Sequence, residues 1–318
     1  MKPTLLITRA LPEAVLDRAR AHFDVTLHDK AAPLTEAEAA AALATYDAIL
    51  PTLGDGFRGR AFDGGPHRCK VLANFGVGYN HIDVAAAKSA GLIVTNTPGA
   101  VTDATADIAL TLILMVCRRA GEGERRVRAG QWRGWAPTQL LGTHVTGRTV
   151  GIIGMGRIGK AIARRCHFGF EMEVIYYNRS QITDPHVPGM QIDSLTDLLQ
   201  SADIAVLAVP ATPETKHLIG PAELRALGPR SYLVNIARGD VVDEAALVTA
   251  LKDGTIAGAG LDVYEREPEL APGLTECENA VLLPHLGTAA LEVREAMGFM
   301  ALANAEAVVE GRQPPNPV

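Results

Sequence analysis

Short apolar runs alternate with amphipathic stretches along almost the whole chain, so the hydrophobic period switches back and forth between that of a strand and that of a helix. Leu5-Leu6-Ile7, Val25-Thr26-Leu27, Ala48-Ile49-Leu50, Val71-Leu72-Ala73 and Leu92-Ile93-Val94 read as buried strands, with helices near 12–21, 35–43 and 83–90 between them. Strands and helices in this order give an α/β unit with a parallel sheet, here over residues 1–98. A second series starts at 149, with strands at 149–153, 173–177, 204–209, 231–236, 257–263 and 281–283 and helices near 157–168, 194–201, 221–227 and 243–252. Its order is that of a doubly wound sheet. The thin run 187–192 fits neither period.

Two helical stretches stand apart. Residues 103–119 are apolar nearly all round after an acidic first turn, so that helix is expected to be buried on several sides, joining two units and carrying a subunit interface. Residues 288–310 are alanine-rich and interrupted only by Gly298; this helix is expected to cross back to the first unit. Residues 130–137 read as a loop with both tryptophans, Trp132 and Trp135, which serve either as packing anchors or as contacts to a ligand or a neighbouring subunit.

A length of 318 residues suits two hydrophobic cores better than one. Hydrophobic residues make up 47% and charged residues 21%, and no apolar run approaches the roughly 20 residues needed to span a bilayer. A soluble chain is expected. The amino-terminal stretch lacks the apolar region and cleavage site of a secretory signal, which makes the cytoplasm the expected compartment. Cys69, Cys117, Cys166 and Cys277 are far apart, and His81 and His144 lack ligand spacing, so neither a metal site nor a redox pair is predicted. A net charge of −6 with scattered Lys and Arg argues against nucleic acid as the main partner.

The candidate chemistry lies where strands end. Gly154-Met155-Gly156-Arg157-Ile158-Gly159 follows an apolar strand and opens a helix. Such glycines mark ordinary turns too, but in this context they let the backbone turn tightly, approach a pyrophosphate and pack the helix on its strand, with the helix amino terminus facing the phosphates. Nineteen residues after Gly159, where an NAD-binding unit places an acid, stand Asn178, Arg179 and Ser180. A cation and a hydroxyl suit a ribose 2′-phosphate, which favours NADP(H) over NAD(H); the alternative is that Arg179 is a solvated loop residue. The loop 74–83 exposes small residues at a strand's carboxyl end, as either a ligand loop or a glycine-rich connection with Asp83 as a helix cap. Three further strands end in Asn235-Ile236-Ala237-Arg238-Gly239-Asp240, Leu261-Asp262-Val263-Tyr264-Glu265-Arg266-Glu267-Pro268 and Leu283-Pro284-His285-Leu286-Gly287-Thr288.

Together with the loop 74–83 and the glycine turn, these motifs resemble the D-2-hydroxyacid dehydrogenase family over essentially the full length, and within it most closely the glyoxylate/hydroxypyruvate reductases. The resemblance implies Arg238 on the substrate carboxylate and carbonyl, His285 as the proton donor, and Glu267 as its partner. Taken alone, the residues leave other readings: Glu265 in place of Glu267, Arg238 as a strand cap, His285 as a satisfied histidine. The resemblance further implies substrate contacts from the amides of Val77 and Gly78, and cofactor contacts from Thr105, Pro210, Ala237 and Asp262 beside the glycine turn and the 178–180 segment.

The expected fold is α/β, with two Rossmann-like and flavodoxin-like domains on parallel sheets and a cleft between them. Residues 1–98 plus 288–318 form the substrate domain, and 99–287 the dinucleotide domain with an inserted dimerisation helix and loop. The expected activity is reduction of a small 2-oxo acid by NADPH, with NADH as the alternative, in a homodimer. Phosphoglycerate- or D-lactate-type dehydrogenases share the motifs, and some relatives of this fold are dinucleotide-sensing corepressors that do not turn over substrate.

Overall fold

The computed structural model describes residues 1–28, 30 and 32–318. It divides into two units, Met1–Val101 with Thr288–Val318, and Thr102–Gly287.

In the first unit β1 (Thr4–Ile7), α1 (Glu13–His22), β2 (Asp24–Leu27), α2 (Glu36–Thr45), β3 (Ala48–Leu50), β4 (Val71–Ala73), α3 (Val84–Ser89) and β5 (Ile93–Thr95) follow one another. The strands form a sheet of order β2-β1-β3-β4-β5, with every neighbouring pair parallel. Successive strand side chains point to opposite faces. Leu5 and Ile7 therefore join the core under α1, while Leu6 joins Leu43 and Ile49 on the other side. Local sequence starts the helices. Thr35 and Glu38 close a reciprocal capping box on α2, and the Asp83 carboxylate accepts from the Ala86 N–H at the start of α3.

The second unit runs α4 (Thr102–Cys117), α5 (Ala120–Arg128), β6 (Thr149–Ile153), α6 (Arg157–Phe170), β7 (Glu173–Tyr177), β8 (Met190–Gln191), α7 (Leu195–Ser201), β9 (Ile204–Leu207), α8 (Pro221–Leu227), β10 (Tyr232–Asn235), α9 (Glu244–Lys252), β11 (Gly258–Leu261) and β12 (Ala280–Leu282). Its seven strands are ordered β12-β11-β10-β9-β6-β7-β8, all parallel, with successive strands added in opposite directions outward from the β6/β9 pair. That pair is the switch point at which ligands bind in such sheets. β11 reads Gly258-Ala259-Gly260-Leu261 because α4 lies close upon it. A Cβ on Gly260 would come within 2.9 Å of Leu112 Cβ, and one on Gly258 within 2.9 Å of Val116 Cγ2. Finally α10 (Leu291–Val309) belongs to the first unit and packs beside α1.

Three sequence expectations change. The helix over 103–119 stops at Cys117; Arg119 turns left-handed (φ +51°), and α5 starts after it. α5 has no apolar period to reveal it. It is held by the buried Glu122, which takes Arg119 and Arg126 at 2.7 Å each. The ambiguous run 187–192 contains a two-residue edge strand on β7. Gly298 does not interrupt α10: a Cβ there would lie 2.6 Å from both Val15 methyl carbons, so the glycine admits α1 to close contact.

All four cysteines are unpaired and buried, and burial pushes the thiols of Cys117 and Cys166 up to about 12. Among the described residues no helix is long and apolar enough to cross a membrane.

Candidate active site

Because every strand of the second unit is parallel, all its carboxyl ends share one sheet edge, and the predicted site residues of this unit fall along it except Thr105, which lies in the first turn of α4. Gly154, after β6, has φ +99°, and a Cβ on it would lie 2.8 Å from the Ala208 carbonyl and the Val209 nitrogen. The loops after β6 and β9 therefore meet backbone to backbone. A Cβ on Gly159 would strike the Gly154 carbonyl oxygen at 2.2 Å, so this glycine lets α6 dock on its own strand. Gly156 has open space where a Cβ would go, and it caps α6 with no side chain. The first intrahelical bond of the turn runs from the Lys160 N–H to the Gly156 carbonyl, which leaves the Arg157, Ile158 and Gly159 amides directed out of the helix end. Open space and three amides fit a pyrophosphate.

Asn178 has a role the sequence did not reveal. Its Oδ1 accepts from the Met155 N–H at 3.1 Å, and its Nδ2 donates to the Ser180 carbonyl at 2.9 Å. It ties the glycine turn to the β7 end, so its amide is spent on the protein as well as on any ribose. Gln191 of β8 pins the same segment, donating to the Ser180 carbonyl at 3.2 Å and accepting from the Ile182 N–H at 3.0 Å. Arg179 and Ser180 stay exposed beyond this brace, and Pro210 lies exposed after β9.

At the β10 end, Asn235 accepts from the Ala237 N–H at 3.0 Å and donates to the Arg238 carbonyl at 2.8 Å, fixing the turn that presents Arg238. Ala237 is buried in that turn, and its carbonyl accepts from the Arg238 guanidinium at 2.7 Å. A Cβ on Gly239 would fall 1.8 Å from the Tyr264 carbonyl carbon. Only glycine lets the Arg238 turn press against the loop that carries Glu267.

His285 closes the row. Its Nδ1–H donates to Glu267 Oε2 at 2.8 Å, which leaves Nε2 as the ring atom available for chemistry. Glu265 is paired instead with His217 at 3.0 Å, so of the two acids raised by the sequence Glu267 is the partner. The His285 backbone is left-handed (φ +54°) and is held by Asp262. The Asp262 carbonyl accepts from the His285 N–H at 3.0 Å, and its carboxylate oxygens accept from Leu286 and Gly287 at 2.6 and 2.8 Å. The Thr105 hydroxyl donates to the Gly287 carbonyl at 3.1 Å. Thr105 and Asp262, expected as cofactor contacts, are buried and engaged in supporting the histidine turn.

The charges agree with this arrangement. Burial alone would raise the Glu267 carboxyl, but the His285 hydrogen bond and charge, the Tyr264 N–H and the Arg238 charge outweigh it and hold the group below its ordinary value. Burial lowers the Arg238 guanidinium against the pull of Glu267 and Asp240. Asp262 is raised by burial, opposed by its two amide donors. Because Glu267 titrates lower in the fold than unfolded, its ionisation stabilises the protein above the carboxylate range, a contribution lost as pH falls through the folded value. Glu267→Gln should therefore be less acid-sensitive than the parent, with urea midpoints that differ at about pH 7 and converge only as the pH falls well below about 4. A gap that widens on acidification would contradict this.

In the first unit, the loop after β4 carries Val77 and Gly78. The Gly76 carbonyl accepts from Asn74 Nδ2 at 2.9 Å and from the Thr97 N–H at 3.0 Å. The Val77 carbonyl accepts from Asn96 Nδ2 at 3.0 Å, and the Gly78 carbonyl from Asn74 Nδ2 at 3.1 Å. In a trans peptide the N–H points opposite the C=O. With three consecutive carbonyls held by the protein, the amides of Val77, Gly78 and Tyr79 each point away from the carbonyl that precedes them, which fixes three donors in a loop of a kind that can hold an anion.

The family model described as D-isomer specific 2-hydroxyacid dehydrogenase, NAD binding domain, matches residues 110–287. The chain belongs to the D-isomer specific 2-hydroxyacid dehydrogenase family. It is 42% identical over 320 residues to a glyoxylate reductase of Thermococcus gammatolerans, covering 99% of this chain and 95% of that protein. Among solved structures, it is similar to an NADPH-dependent glyoxylate/hydroxypyruvate reductase of Sinorhizobium meliloti in complex with NADP and malonate, at 35% identity and TM-score 0.89 over 100% of this chain and 97% of that one. A glyoxylate reductase from Paecilomyes thermophila is 32% identical with TM-score 0.88, over 100% and 98% of the two chains.

Proposed function

We propose that this protein reduces a small 2-oxo acid, glyoxylate or hydroxypyruvate, to the 2-hydroxy acid, using a nicotinamide dinucleotide with preference for NADPH. The observation that carries the proposal is the His285–Glu267 hydrogen bond on the sheet edge that also presents Arg238 and the glycine turn. A bound reduced nicotinamide supplies the hydride, which adds to the carbonyl carbon. Arg238 holds the substrate anion and polarises its carbonyl, and the amides of Val77 and Gly78 bind the carboxylate. As negative charge develops on the carbonyl oxygen, His285 Nε2 gives it a proton, while Glu267 stabilises the imidazolium before that transfer and keeps the ring oriented. The glyoxylate reductase relatives support this substrate class. Steady-state reduction of glyoxylate, hydroxypyruvate, pyruvate and phenylpyruvate with each dinucleotide tests it. Dinucleotide binding without turnover of any of the four would favour a corepressor instead.

Preference for NADPH rests on Arg179 and Ser180 standing where a ribose-binding acid would otherwise stand. Arg179→Ala should raise KM for NADPH about tenfold or more, the loss of one charge-assisted hydrogen bond, and leave KM for NADH unchanged. Equal effects on both would remove Arg179 from 2′-phosphate recognition. The division of labour follows: residues 99–287 hold the dinucleotide, and 1–98 with 288–318 contribute to the substrate. A homodimer built through α4 and the arm after α5 accounts for Trp132 and Trp135, which are 56% and 82% exposed. A groove of about 1240 Å³ with Leu110, Leu114, Phe168 and Phe170 in its lining supports the same reading.

A further inference from the structure

The carboxylate loop of the first unit is held from behind by a chain of asparagines that reaches the last residues of the sequence. Asn304, fully buried on α10, accepts from the Asn316 N–H at 2.9 Å through Oδ1. Its Nδ2 donates to the Met300 carbonyl at 3.0 Å, with longer contacts to Asn316 Oδ1 at 3.3 Å and the Asn96 carbonyl at 3.4 Å. Asn96 in turn donates its N–H to the Asn316 carbonyl at 3.2 Å, and its side chain donates to the Val77 carbonyl at 3.0 Å. The Val318 N–H donates to the Val94 carbonyl at 3.0 Å, so residues 316–318 lie along the edge of β5.

We infer that Asn96 is a positioning residue for substrate binding, and that Asn304 and Asn316 set it from behind. Its single side-chain donor fixes the 77–78 peptide plane, and with it the direction of the Gly78 N–H. The Gly76 carbonyl has two donors, whereas among the described residues the Gly78 carbonyl has Asn74 Nδ2 alone and the Val77 carbonyl has Asn96 Nδ2 alone, so Asn96 is the group that sets the 77–78 peptide. Without that donor the plane can flip, turning a carbonyl oxygen toward the bound anion in place of an N–H. The arrangement also explains the fully buried Asn304, whose side-chain amide both donates and accepts within it. This inference rests on the proposed use of the Val77–Gly78 loop for the substrate carboxylate.

Asn96→Asp tests it, since the carboxylate keeps the size of the amide but offers no donor to Val77. Hydrogen exchange of the full-length protein, read by mass spectrometry, should quicken at 75–79 and stay unchanged at 153–160. KM for glyoxylate should rise about tenfold, the loss of one aligned donor to a charged group, with kcat and NADPH affinity near parental values. A general structural role would instead lower thermal stability and the active fraction without separating KM from kcat. Unchanged exchange at 75–79 overturns the inference whether or not the protein reduces 2-oxo acids. Faster exchange with an unaltered KM overturns the assignment of the loop to the carboxylate. Asn96→Ala removes the same donor without adding charge and gives the same readouts should the aspartate variant fold poorly.

Discussion

Replacing His285 with alanine should lower kcat for 2-oxo acid reduction by about 100- to 10,000-fold, the range expected when a positioned general acid is lost, while leaving dinucleotide affinity near its parental value. The separation follows from where the residues sit. The glycine turn, Asn178 and the α6 amides lie at the β6 and β7 ends, whereas His285 follows β12 at the far edge of the same sheet. Alanine also meets the left-handed backbone at 285 less readily than histidine does. His285→Asn resolves the two effects, because asparagine tolerates that conformation and cannot serve as the acid. It should be about as inactive as the alanine variant and more stable in urea. Near-parental turnover in the asparagine variant would show that position 285 contributes conformation and not a proton.

Much of the site could be read in the chain because strand ends are visible in a sequence. An apolar run that stops at Gly-x-Gly, at Arg-Gly-Asp or at Pro-His marks where a parallel sheet exposes functional groups; strand ends pick out the segments that carry Arg238, Glu267 and His285, and the family resemblance picks the residues within them. The choice of Glu267 over Glu265 was carried by family resemblance alone until the geometry paired each acid with a different histidine. What stayed hidden depends on partners distant in sequence. Asp262 looks like any acid after a strand, yet it is the support for a turn 24 residues on. Asn304 meets Asn96 across 208 residues, and no local pattern encodes that meeting. α5 escaped for a different reason: its helix is stabilised by ion pairs to a buried glutamate and not by an apolar stripe. Gly298 misled because a glycine inside a helix ordinarily weakens it, whereas here close contact with α1 outweighs that cost.

Arg238→Lys should lower kcat/KM for the 2-oxo acid by about 100- to 1000-fold, the effect of removing a preorganised donor from a developing oxyanion, with the dinucleotide still bound. Lysine keeps the charge but loses the planar fork that can hold a carboxylate and a carbonyl oxygen together. The backbone cannot shift to compensate, since Gly239 is pressed against Tyr264 and Asn235 holds the turn from below. Arg238→Ala should be at least as impaired, and it removes a cation that contributes to holding Glu267 below its ordinary value. The two defects separate by rescue. Guanidinium ion added to Arg238→Ala should restore part of the turnover by occupying the space of the missing fork, while the same addition to His285→Ala should restore none. Rescue of both variants, or of neither, would mean that Arg238 acts through the stability of its turn and does not touch the substrate.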